Sequence, residues 1–142
     1  SKYFICVPAL FIIHAISSSS AVSNSYKSQF ETDKYIASKI DFDLQNVKQG
    51  YAGVYVSGRT KATKSVTINE GAFPIIKDIN YPANHWIMSL LLESLGVNNV
   101  ITNVDVRTKE LNTSIACSES KLIARDNYNI CSLRGDVYIY LK

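Results

Sequence analysis

The stretch Tyr81–Gly96, reading YPANHWIMSLLLESLG, limits the possible folds more than any other, because its helical signals agree at both ends. Pro82 bars an earlier start, the Asn84 side chain can cap the first turn, and Gly96 supplies the left-handed residue that commonly ends a helix. At about 100° per residue, His85, Ser89 and Glu93 fall in one narrow polar stripe. Trp86, Ile87, Met88, Leu90, Leu91, Leu92 and Leu95 sweep the rest of the circumference, interrupted only by Ser94. An apolar arc this wide predicts burial on two sides, one against a sheet and the other against a second copy of the chain. Met88 and Leu92 are the expected contacts between copies.

Upstream, Lys2 precedes an apolar run from Tyr3 to Ile16, broken only by Pro8 and His14, and a small polar tract from Ser17 to Ser23 follows. This is the layout of a secretory signal peptide over residues 1–21, with cleavage after Ala21 or after Ser23. A retained membrane anchor is the alternative, but a run this short with a proline inside it falls below the roughly 20 residues that a spanning helix needs. The expected location is therefore secreted or periplasmic. Removal of the signal takes Cys6 with it and leaves Cys117 and Cys131, an even pair that in an exported chain reads as one disulfide. A metal site lacks ligands, since His85 is the only histidine left, and no cofactor is expected.

At 142 residues and 46% hydrophobic, the chain supports one core. Its net charge of +3, with no basic run, gives no case for nucleic acid. Residues 22–35 read as a flexible arm. Beyond them, Ile36, Ile40, Phe42 and Leu44 share one parity against Lys39, Asp41 and Asp43, which predicts a half-buried strand. Further alternations cover Tyr51–Ser57, Ser65–Ile68, Val100–Arg107 and Val137–Leu141, and a long, weakly patterned connection spans 109–134. Ile75–Ile79 is ambiguous between strand and loop. The predicted class is mainly β with one helix (α+β), an OB-fold-like five-stranded barrel over 36–142 with the helix between strands 3 and 4.

No nucleophile with a base, no isolated carboxylate pair and no phosphate loop stands out, so the chain reads as a non-enzyme. His85 at a helix start and Asp41 with Asp43 on one strand face have solvated explanations. Tyrosine rises above background: Tyr51, Tyr55, Tyr138 and Tyr140 take the outward parity of their strands. Tyr51 and Tyr55 with Ser57 and Arg59 combine flat apolar faces with hydrogen-bonding groups suited to a sugar ring.

On the stretches GYAGVYVSG and NHWIMSLLLESLG, the region from Ile36 to Lys142 resembles in architecture the B subunits of bacterial AB-type toxins. The resemblance implies a homo-oligomeric ring with helices around a pore, a catalytic A subunit as partner, and a cell-surface glycan or receptor as ligand. Two rivals stay open. A pilin-like structural subunit would also be exported with an apolar N-terminus and a C-terminal disulfide loop, but would keep the apolar segment as a long helix, against which Pro8 and Ser17–Ser20 argue. A monomeric periplasmic OB-fold domain that binds proteins or small molecules is the other.

Overall fold

The computed structural model describes residues 3–47, 50–74, 76 and 84–142. Among these, the elements run α1 (Tyr3–Gln45), β1 (Val54–Gly58), α2 (Lys64–Ala72), α3 (Asn84–Ser94), α4 (Val106–Glu119), β2 (Lys121–Ala124), β3 (Tyr128–Leu133) and β4 (Asp136–Leu141). The barrel is thereby overturned. One four-stranded mixed sheet, ordered β1-β4-β3-β2, lies between α1 with α3 on one face and α4 on the other.

The largest correction concerns the predicted first strand: Ile36–Leu44 is helical, part of α1, which runs unbroken for 43 residues and also takes in the residues of the expected signal peptide and arm. Its buried positions Ser25, Gln29, Asp33, Ile36, Ala37, Ile40, Asp43 and Leu44 recur every three or four residues, the helical period. Ile36, Ile40 and Leu44 satisfy the strand parity and the helix stripe alike, and the longer pattern decides for the helix. Neither expected breaker ends it. Pro8 sits inside α1, where it removes one main-chain donor, and the Ser18 hydroxyl donates back to the Ala15 carbonyl at 3.1 Å, a bond that satisfies the side chain within the helix.

Three of the predicted elements are present. β1 and β4 pair in parallel, Val54 opposite Val137 through Gly58 opposite Leu141. Val54, Val56, Tyr128, Ile130, Val137, Ile139 and Leu141 face Ile36, Ile40 and Leu44 of α1 and Met88 and Leu92 of α3 in one core. β3 and β4 form a hairpin whose two turn residues, Arg134 and Gly135, both have positive φ, as a two-residue turn of the favoured hand requires. Gly58 is required too: its φ is +81°, and a Cβ there would collide with the Leu141 carbonyl oxygen.

The other two expected strands are corrected. Lys64–Ala72 is helix α2, capped by the Thr63 hydroxyl accepting from the Val66 amide. Val100–Arg107 shrinks to a bridge in which the Val54 amide donates to Asn99 and the Ile101 amide donates to Val54, covering the outer edge of β1 before α4 begins. The patternless connection 109–134 holds α4, β2 and β3. The ambiguous stretch Ile75–Ile79 is described only at Ile76, and Gln49, Pro82 and the capping side chain of Asn84 lie outside the described residues.

α1 is fastened to the sheet by a charged cluster at its C-terminal end. Arg125 donates from Nε and Nη2 to the two carboxylate oxygens of Asp43, at 2.9 and 2.7 Å, and the buried Tyr128 hydroxyl donates to the same carboxylate. The Arg125 hydrogen bonds hold the Asp43 carboxyl below the usual carboxylate range, whereas burial and that same carboxylate raise the Tyr128 phenol. A depressed folded-state acid stabilises the fold above the ordinary carboxylate pKa and stops doing so as pH falls through its own lower value. Asp43→Asn is therefore expected to lower stability at pH 7 by about 1–3 kcal/mol, chiefly by impairing the buried hydroxyl's acceptor. Urea denaturation of both proteins should show the gap closing below about pH 4.

Candidate functional site

Two surfaces stand out once the fold is assembled. The first is the N-terminal half of α1. Val7, Leu10, Phe11, Ile12, Ile13 and Ile16 are each between 57% and 76% exposed, on every side of the helix, and between Tyr3 and Tyr26 the sequence has no Asp, Glu, Lys or Arg, His14 being its one ionisable side chain besides Cys6. One 18-residue window of α1 has a mean hydropathy of 1.5, and none of it is buried within the chain. Tyr3–Ala21 spans about 28 Å at 1.5 Å per residue, close to the thickness of a bilayer's hydrocarbon core.

Above this segment the helix becomes polar and is gripped by α2. The Gln29 amide nitrogen donates to Asp33, Thr60 and the Lys61 carbonyl, and Gln29 Oε1 accepts from the Thr63 amide. Asn69 of α2 donates to the Ala21 carbonyl and to the Ser25 hydroxyl, and Phe73 lies 5.8 Å from the His14 ring. Burial raises the Asp33 carboxyl, opposed by hydrogen bonds from Thr60 and Gln29. Ser25, Ser28, Gln29 and Asp33 thus form a polar collar where α1 meets α2 and the residues that lead into it.

The second surface is an open cleft of about 970 Å³ between α4, the start of α3 and the C-terminal ends of β1 and β4. Ser57 and Arg59 line it, together with His85, Lys109 and Thr113. The Ser57 hydroxyl donates to Thr113, which donates to the Lys109 carbonyl, so both hydroxyls are fixed in the cleft wall.

The four residues predicted to hold a glycan are not gathered in one place. Tyr55 stacks on Tyr138, ring centroids 4.9 Å apart, beside the disulfide and under α4, whereas Tyr51 packs at the edge of the core on the opposite face. Only Ser57 and Arg59 share a cavity, and Ser57 is 3% exposed. Met88 and Leu92, expected at a subunit contact, are wholly buried within the chain, while Trp86, Leu90 and Leu95 face outward. The sequence argument identified α3 and misjudged its rotation, because the polar stripe does not mark the exposed side: Ser89 is buried and donates back to the His85 carbonyl.

Cys117 at the end of α4 and Cys131 in β3 form a disulfide, fixing that helix over the sheet. No three His, Cys, Asp or Glu side chains converge as a metal site among the described residues. Lys109 escaped the sequence reading altogether, since a lysine in a polar helix carries no sign that it will be buried.

No family model matches the chain, and neither a curated protein nor a solved structure shows significant similarity to it.

Proposed function

We propose that this chain is a pilin-like structural subunit, exported and held by its apolar half-helix in a membrane or among the equivalent helices of neighbouring copies. One observation carries the reading: α1 is a single helix whose C-terminal half is the spine of the folded head and whose large apolar side chains from Val7 to Ile16 are left uncovered. Six large apolar side chains left in water would be a costly exposed patch, on the order of 10 kcal/mol at about 1.5–3 kcal/mol each for full burial. A bilayer or a bundle of like helices removes that cost. The disulfide between α4 and β3, near the C-terminal end of the sequence, fits an oxidising compartment outside the cytoplasm. The toxin-subunit reading rested on a barrel, and it has no comparable support in a helix-spined head.

The test is the fate of the full chain in an exporting bacterial cell. It should sediment with membranes, resist extraction by alkaline carbonate and yield to detergent, and amine cross-linking should give a ladder of multimers. Recovery as a soluble monomer beginning near Val22 or Asn24 would show a cleaved leader instead and defeat the proposal.

A further inference from the structure

We propose that the outward ridge of α3 in one copy packs antiparallel against the outward ridge of α4 in the next, joining the heads of this chain in an open series. Trp86, Leu90 and Glu93 share one side of α3 at the i, i+4, i+7 spacing, and the two apolar members are 55% and 59% exposed. Arg107, Leu111 and Ile115 share one side of α4, where Leu111 is 61% and Ile115 37% exposed. The contacts of these helices with their own head lie elsewhere on each circumference. Met88 and Leu92 of α3 face one side of the sheet, whereas Ala116 of α4 packs over the other, so the two ridges point away from opposite faces of the head.

The ridges match when the helices run in opposite directions. With Leu90 set level with Leu111, Trp86 falls level with Ile115, and Glu93 lies within about 1.5 Å of the level of Arg107. Helical side chains lean toward their own N-terminus, so the Trp86 indole reaches toward the small Ser118, one turn beyond Ile115. Glu93 and Arg107 make no ion pair within the chain among the described residues, so each is free to meet the other across the contact. Ser94 and Ser118, beside the ridges, donate to the Leu91 and Ile115 carbonyls of their own helices, and covering them strands no hydroxyl.

The same register argues against pairing of like ridges. Two α3 ridges crossed at Leu90 would set Glu93 against Ile87, and two α4 ridges crossed at Leu111 would set Arg107 against Ile115, leaving both charges on apolar groups. Only the unlike pairing places each charge on its opposite, and a contact between unlike surfaces extends from copy to copy. Its small area puts it in the weak class of interfaces, so it holds where copies are already concentrated. It therefore rests on the proposed function, in which the apolar half of α1 gathers them.

The experiment uses the full chain with Cys6→Ser, carrying either Ser94→Cys or Thr108→Cys at the rim of the contact, so that the Cys117–Cys131 disulfide leaves one free thiol per copy. The two proteins are reconstituted together in vesicles and treated with a short bismaleimide. The mixture should form cross-linked dimer about tenfold faster than either protein alone. Leu90→Glu in the Ser94→Cys chain should abolish the product, with circular dichroism showing its head still folded. Glu93→Arg in that chain should slow the reaction about fivefold by opposing two like charges, and Arg107→Glu in the other should restore it. Equal rates in the mixture and in the single proteins, a product that persists with Leu90→Glu, or no rescue of Glu93→Arg would each overturn the contact. Multimers by amine cross-linking without the bismaleimide product would overturn it and leave the proposed function standing, whereas a chain that never enters the membrane fraction removes both.

Discussion

Replacing Phe11 and Ile13 together by aspartate is expected to move the protein from the membrane fraction to the soluble fraction without unfolding its head. Both side chains belong to the uncovered half of α1, at 76% and 60% exposure, and neither touches the core around Ile36, Ile40 and Leu44. In water the exchange removes exposed apolar surface and is nearly neutral for folding. In a bilayer each aspartate near the helix centre opposes insertion by about 2.5–3.5 kcal/mol, so the pair shifts the partition by several thousandfold or more. Fractionation beside a thermal melt of the soluble material checks both halves of the statement. A double variant that stays in the membrane, or that loses its head fold, would contradict it.

Leu92→Glu should abolish folding, and Leu90→Glu should not. The two residues sit two places apart on α3, yet Leu92 is 0% exposed among Val54, Val56 and Ile40, whereas Leu90 is 59% exposed. A carboxylate forced into that core has no cation beside it, and the penalty, with the lost packing of a leucine, exceeds about 5 kcal/mol, comparable to the whole stability of a small domain. Glutamate at Leu90 remains in solvent and changes stability by less than about 0.5 kcal/mol. Expression level and circular dichroism of the two variants separate them. Equal behaviour would mean that the rotation of α3 about its axis is misassigned.

The contrast between these leucines also shows how far the sequence could be read. α3 was visible from its length and its Gly96 terminator, but its exposed side was not, because Ser89 satisfies itself on its own backbone and can be buried without a partner. β1 and β4 were visible as alternations of Val and Ile with Tyr and Ser, and the cysteine pair as the even count left once Cys6 in the apolar N-terminal run is set aside. The stripe on α1 hid itself: its upper positions Ser25, Gln29 and Asp33 are polar, so only Ile36, Ile40 and Leu44 remained to suggest a period, and those three fit a strand equally well.

α4 was hidden for a related reason. Its buried positions are Lys109, Thr113 and Ala116, while Leu111 and Ile115 face outward. Any argument from hydrophobic periodicity therefore assigns the wrong face, or no helix at all. The polar face of α4 instead closes over a cleft and over the stacked Tyr55 and Tyr138. Burial of polar groups in hydrogen-bonded networks follows from tertiary arrangement, which a single sequence does not display.

The most direct measurement is a nitroxide scan along α1 in reconstituted vesicles, with labels placed singly at Val7, Leu10, Ile13, Ile16, Tyr35 and Phe42. If α1 is one helix with its first half in an apolar host, labels at 7, 10, 13 and 16 will relax strongly with oxygen and weakly with a water-soluble nickel complex. Labels at 35 and 42, exposed on the head, will show the reverse. Ready access of nickel to all four upstream labels, or release of the segment from the head by cleavage, would contradict the account.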